Sequence, residues 1–256
     1  MRHTWSRALL GAALIVAITG LSHAADVTDD EFKVLIDADT KLIAKAAEAG
    51  DKGAKPVKNN AANGIRSTAL YVAGYANSRI GGKDDAKMAA IRDQALLIAK
   101  AAKDQDFKKI GELTKDLSAP KAAATKKEKI DVAKAAGVEE GDVELVMHHF
   151  KKPVAYASGA EEEIKKYGKK GATAPKPEVA IALANRVLVL AEFSKTAIKA
   201  DNAAAKKDWA TYNDKMAKAA EDLLTAAHAK KSSPADLAKA FTAIDGACTA
   251  CHSKFK

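Results

Sequence analysis

Apolar residues recur at steps of three and four along nearly the whole chain, broken by short clusters of Gly, Pro and Lys. That step matches the 3.6-residue period of an amphipathic helix and not the alternation of a strand. The first run opens at Thr28 with Glu31 three positions on, a capping box, and carries Phe32, Leu35, Ile36, Leu42, Ile43 and Ala46 up to Gly50. A loop through Pro56 leads to a second run with Ile65, Leu70, Val72 and Tyr75, ending near Gly81-Gly82. A third, from about Asp84 to Ala102, sets Met88, Ile91 and Ala95 on one face. A fourth, from about Asp106 to Leu117, sets Phe107, Ile110, Leu113 and Leu117, and Pro120 stops it.

The order then repeats. A run from about Asp142 carries Val143, Val146, Met147 and Phe150 until Pro153 bends or ends it. A Gly- and Lys-rich loop through Pro175 and Pro177 leads to a helix with Val187, Leu188, Leu190 and Phe193. The next carries Trp209, Tyr212, Met216, Leu223 and Leu224, and the last begins at Ser233-Pro234, a cap followed by proline in the first turn. The pattern predicts an all-α chain of two tandem antiparallel four-helix bundles. They span 25–120 and 141–256, joined by a Lys- and Ala-rich linker, 121–140, with a short helix near Ile130 to Ala136. Ala69 to Tyr75 aligns with Val187 to Phe193, the trace expected of a duplication.

The first 24 residues read as a secretory signal peptide. Arg2 and Arg7 precede an apolar stretch from Ala8 to Leu21, and Ser22-His23-Ala24 offers small residues for cleavage after Ala24. The apolar stretch is short for a span of about 20 residues, and no later segment is long and apolar enough to cross a membrane. The expected location is the periplasm. Cleavage removes two arginines and no acid from a formal net charge of +9. The remaining lysines are spread along the chain without interleaved aromatics, which argues against nucleic acid and for a solvated surface or one that steers an acidic partner.

The chain has two cysteines, Cys248 and Cys251, and His252 follows the second directly. On the last helix Leu237, Phe241, Ile244, Cys248, Cys251 and Phe255 follow one another at steps of four and three, so both sulfurs share the core-facing stripe. Two thiols three apart on one helical face can form thioethers with one edge of a porphyrin, and the next imidazole can bind its iron, the covalent haem pattern. Three other chemistries use the same residues. A thioredoxin-like pair wants a βαβ context, a structural zinc wants four ligands, and a plain disulfide gives His252 no task. One covalent haem c, with Cys248 and Cys251 as thioethers and His252 as proximal ligand, is the expectation.

The closing Cys-Thr-Ala-Cys-His-Ser-Lys-Phe-Lys resembles the class II c-type cytochromes, the cytochrome c′ and cytochrome c-556 family, over about Gly141 to Lys256. The resemblance implies haem surroundings that include Phe255 and Lys256. It also implies a distal side covered by the bundle's first helix, where low-spin members supply a Met and high-spin members leave iron five-coordinate. Here that helix reads Val146-Met147-His148-His149-Phe150. At about 100° per residue Met147 falls with Val143, Val146 and Phe150 on the apolar face, whereas His148 and His149 point away and read as surface groups. Met147 is therefore the expected distal ligand or distal wall, with core filler as its plain alternative, and His148 or His149 the less favoured ligands.

The first half ends in Leu117-Ser118-Ala119-Pro120-Lys121, with neither thiol nor imidazole, so it carries no covalent haem. It stands in either for the second subunit of the homodimer such bundles often form or as a docking module. The functional expectation is electron transfer, with binding or sensing of nitric oxide or carbon monoxide as the alternative. No nucleophile–base pattern or phosphate loop points to an enzyme.

Overall fold

The computed structural model describes residues 27–121, 124, 126–169, 171–229 and 233–255. The expected signal segment 1–24 lies outside the described residues, as does Lys256. The protein is all-α, and the described residues form helices and turns with no strand.

The first half contains α1 (Asp29–Lys52), α2 (Lys55–Ser78), α3 (Asp85–Lys103) and α4 (Phe107–Lys115). The capping box forms as read. The Thr28 hydroxyl accepts from the Glu31 amide at 3.3 Å, and the Glu31 carboxylate accepts from the Thr28 amide at 2.8 Å. The expected loop through Pro56 is instead the first turn of α2, leaving only Gly53 and Ala54 between the helices. Proline fits there because its missing N–H would have had no helical acceptor. Helix α2 packs against both α1 and α3, and α4 closes over α1 and α3.

The segment from 121 to 140 holds α5 (Val132–Ala135) and is docked onto the first half. Arg92, wholly buried in α3, donates to the carbonyls of Lys126 and Glu128 at 2.6 Å each. The Asn77 amide donates to the Ile130 carbonyl at 2.9 Å and accepts from the Ile130 amide at 3.0 Å. Val132, Ala133 and Val138 then join the core.

The second half contains α6 (Val143–His148), a 3-10 turn (Pro153–Ala155), α7 (Ala160–Tyr167), α8 (Pro177–Ala197), α9 (Ala203–His228) and α10 (Pro234–Phe255). The expected loop from Pro153 to Pro177 therefore encloses a helix. With eight residues, of which only Ala160 and Ile164 are buried, α7 is too short to show a period in sequence. The chain reverses between α6 and α7 through two left-handed residues, Tyr156 at φ 54° and Gly159 at φ 77°. Helix α7 packs on α10, and α9 lies between α8 and α10.

The halves meet where α2 crosses α6 and α8. At Gly74 a Cβ would come within 2.8 Å of Val189, so only a bare backbone permits that approach. Nearby the Tyr71 ring meets Phe193 edge-on at 5.8 Å. The two segments that align in sequence thus pack on one another, and one continuous hydrophobic core runs through both halves. Among the described residues no helix is long and apolar enough to cross a membrane.

Candidate functional site

Helix α10 is built from its cap downward. The Ser233 hydroxyl accepts from the Asp236 amide at 3.2 Å, and Asp236 accepts from the Ser233 amide at 3.1 Å. Leu237, Ala240, Phe241, Ile244 and Ala247 then bury the core stripe. Its continuation, Cys248 and Cys251, is only partly buried because it borders a cavity.

That cavity holds about 410 Å³, within the range of small-molecule pockets. Cys248, Cys251, His252 and Phe255 line it from α10, Met147 and Val143 from α6, Leu190 and Ser194 from α8, and Trp209, Tyr212, Asn213 and Met216 from α9. A second cavity of about 330 Å³ shares Met147, Cys248 and His252 and extends to Phe150, Ile164 and Asp245. The Trp209 indole donates to the Ser194 carbonyl at 2.9 Å, tying α9 to α8 beside the cavity. Phe255 packs edge-on against Trp209 at 5.0 Å and Tyr212 at 6.3 Å, and Lys254 pairs with Asp208, so the end of α10 is fastened to α9.

Both cysteines are unpaired thiols. Burial pushes the Cys248 thiol up to about 12, helped by Asp245 and the neighbouring Cys251. Burial also raises Cys251. A nucleophilic dithiol needs the opposite, a thiolate favoured by positive charge or a helix N-terminus. Among the described residues no three His, Cys, Asp or Glu side chains converge to hold a metal ion, so the donor set of a structural zinc is not assembled there.

The structure brings Met147, Cys248, Cys251, His252 and Phe255 to one cavity, and Phe150 to its neighbour. It keeps His148 and His149 out of both. The expectation that these histidines are surface groups is overturned. His148 is 5% and His149 0% exposed. The angular argument was sound in placing them opposite Met147, but that opposite face is covered by α2 and by the turn after α6. His148 Nε2 donates to the Ala155 carbonyl at 2.9 Å. His149 Nδ1 lies 3.1 Å from the Thr68 hydroxyl, and its ring stacks on Tyr71 at 4.4 Å. Burial, with the Arg186 charge nearby, holds the His149 imidazole well below its ordinary range, so it is neutral.

Asn213 is a site residue that periodicity alone could have found. Trp209, Asn213, Met216 and Ala220 follow at four, three and four, and all are buried. Its Nδ2 is buried without a partner among the described residues, a state that native side chains seldom keep. The chain matches no protein-family profile, no curated protein and no solved structure.

Proposed function

We propose that this protein is an exported c-type cytochrome of the class II pattern, moving single electrons through one covalent haem in its C-terminal half. The supporting observation is the convergence of Cys248, Cys251 and His252 with Met147, about a hundred positions upstream, on one cavity. The residues present fit the group. Two neutral thiols and an imidazole occupy one wall, a thioether faces them, aromatic rings close the rim, and an amide without a partner waits beside them. Cys248 and Cys251 would hold the group as thioethers, each S–H adding across one vinyl group with sulfur on one carbon and the proton on the other, so chain and haem masses would simply add.

When bound, the haem supplies a one-electron couple at iron. The chain holds and tunes it. His252 would bind the iron through one ring nitrogen, leaving the other to donate. In the electron-transfer reading Met147 would supply a sulfur to the iron, and sulfur ligation raises the potential. Trp209, Phe255 and Met216 keep water from the cavity. In the gas-binding reading Met147 is a displaceable wall. The haem-less half is read as a second copy of the bundle, meeting the first as a subunit would.

Lys151 and Lys165 border the cavities but pair with Glu144 and Glu161, and Lys254 beside them pairs with Asp208, so attraction of an acidic redox partner rests on the excess of lysine over the whole chain. The test is to express the full chain with its export signal in a host that attaches haem c. The exported protein should be red, lack about 24 N-terminal residues and exceed the bare chain by the mass of one haem. A colourless product of bare mass would sink the reading. With haem attached, Met147→Ala should abolish a sulfur-to-iron charge-transfer band, and rapid carbon monoxide binding by the parent would favour gas binding instead.

A further inference from the structure

Helix α6 has six residues, too few to hold a helix on its own. Something outside it must fix its seat, and with it the direction of Met147. Helix α6 packs on both α2 and α8, and the side-chain hydrogen bonds it receives from a neighbouring helix come from one stripe of α2. Gly64, Ser67, Thr68 and Tyr71 are spaced three, four and seven from the first, so they share one face. At Gly64 an added Cβ would stand 2.5 Å from the Tyr156 carbonyl oxygen, so the turn after α6 rests directly on bare backbone. The Ser67 hydroxyl accepts from the His149 amide at 2.9 Å. Thr68 meets His149 Nδ1, and Tyr71 stacks on the ring while its hydroxyl donates to the Val146 carbonyl at 3.0 Å. The two backbone groups so held, the Val146 carbonyl and the His149 amide, bracket Met147 on either side.

A bundle stripe is ordinarily apolar. Here Ser67, Thr68 and Tyr71 are each 0% exposed. Buried polar groups cost stability unless bonded, and bonded they accept only one seating. Behind them His149 Nε2 stands 3.8 Å from the Asp39 carboxylate, which pairs with Arg186 of α8. Three elements, α1, α2 and, through Asp39, α8, therefore converge on one imidazole at the end of α6 that faces neither cavity.

Resting on the haem reading above, we propose that the haem-less half is a clamp on α6, and that His149 is the positioning residue through which α2 holds Met147 toward the cavity. The first half then has a task that explains why it needs no haem of its own. It sets how firmly the distal side is closed.

The test compares full-length, exported protein with Tyr71→Phe, Thr68→Val, His149→Ala and His149→Asn. Ile98→Val, buried in α3 and not among the α6 contacts, serves as the control for general loosening. Amide exchange over residues 143–150 should quicken roughly tenfold in Tyr71→Phe, the exchange equivalent of one buried hydrogen bond. In the haem-loaded proteins the sulfur band should weaken, or carbon monoxide should bind faster. His149→Asn, whose amide can bond Thr68, should recover part of what His149→Ala loses. Ile98→Val should move the melt and neither local reading. If His149→Ala fails to fold, Tyr71→Phe carries the test because it keeps ring and stack. Unchanged exchange over 143–150 overturns the clamp. So does faster exchange with the distal spectrum and carbon monoxide kinetics untouched. Exchange is also measured on the Cys248→Ala, Cys251→Ala chain, which cannot attach haem, so a colourless protein would end the haem reading while leaving the clamp to be judged separately.

Discussion

Asp39 and Arg186 pair at 3.0 Å across the seam between the two halves, 147 positions apart in sequence, with the Asp39 side chain 1% exposed. Burial pushes the Asp39 carboxyl up and Arg186 pulls it part of the way back. For Arg186 burial works against the charge, but Asp39 and Tyr75 outweigh it and hold the guanidinium above its usual range. Removing one partner of a buried pair leaves the other uncompensated, at a cost of about 3–5 kcal/mol. Arg186→Met should lower the free energy of urea unfolding by that amount, and Asp39→Leu with Arg186→Met should recover much of it. The sign with pH follows from the raised carboxyl. A carboxyl held above its unfolded value contributes most below that value, near 3.9, and loses the contribution as pH rises through its folded value. The deficit of Arg186→Met should therefore be smallest in acid and grow toward neutral pH. A deficit independent of pH would show that Asp39 does not carry the effect.

Two glycines within helices make opposed predictions. Replacing a mid-helix glycine by alanine ordinarily stabilises by about 0.5–1 kcal/mol. Gly111 in α4 has nothing within 4 Å of an added Cβ, so Gly111→Ala should show that gain. At Gly64 the added Cβ meets the Tyr156 backbone at 2.5 Å, and backbone cannot rotate away. Gly64→Ala should instead cost about 1–3 kcal/mol, the usual penalty of overpacking. Paired urea titrations decide the matter, and two changes of the same sign would contradict the seating of α6 on α2.

The long helices were legible because each repeats its apolar step over many turns and starts at a recognisable cap, as at Thr28 and Ser233. The Cys248, Cys251, His252 stripe was legible for the same reason. Helix α7 was not, since two buried residues make no period. His149 was misjudged because the face opposite Met147 is solvent in a lone bundle but is covered by α2 here. Asp39 looks like any polar position of an amphipathic helix, and only its partner reveals it. Arg186 did leave a signal, as a single charge inside the apolar run from Val179 to Leu190. A charge there demands a buried counterion, but one sequence does not say which.

The Glu31 carboxylate links the start of α1 to the end of α9. Burial is the largest single influence and would raise it, but the Thr28 amide and hydroxyl together with His228 outweigh it, so its net position is below the ordinary carboxylate value. A lowered carboxylate contributes stability that is present above its unfolded value, near 4.3, and is lost as pH falls through its folded value. Glu31→Gln should therefore be less stable than the parent at pH 7, with the two converging in acid. Thr28→Ala should cost about 1 kcal/mol at pH 7 through loss of the cap. Thermal unfolding across pH 3–7 would reveal both, and parallel curves for Glu31→Gln and parent would contradict the assignment.

Phe255 tests the cavity rim. Its ring stands edge-on to Trp209 at 5.0 Å and to Tyr212 at 6.3 Å, where the last residue of α10 bounds the cavity. Because the residue is only partly buried, Phe255→Ala should cost less than the 3–5 kcal/mol of a core phenylalanine. Its larger effect should be electrical. Under the proposed haem reading, opening the rim would admit water beside the group, and water stabilises oxidised, more highly charged iron over the reduced form. The reduction potential of haem-loaded Phe255→Ala should fall below that of the parent, while Phe255→Leu, which keeps most of the apolar cover, should shift it less. Spectroelectrochemical titration of the three proteins would measure the order. If alanine and leucine shifted the potential equally, exclusion of water by this ring would not be what sets it, and Trp209 with its bond to the Ser194 carbonyl would be the next wall to remove.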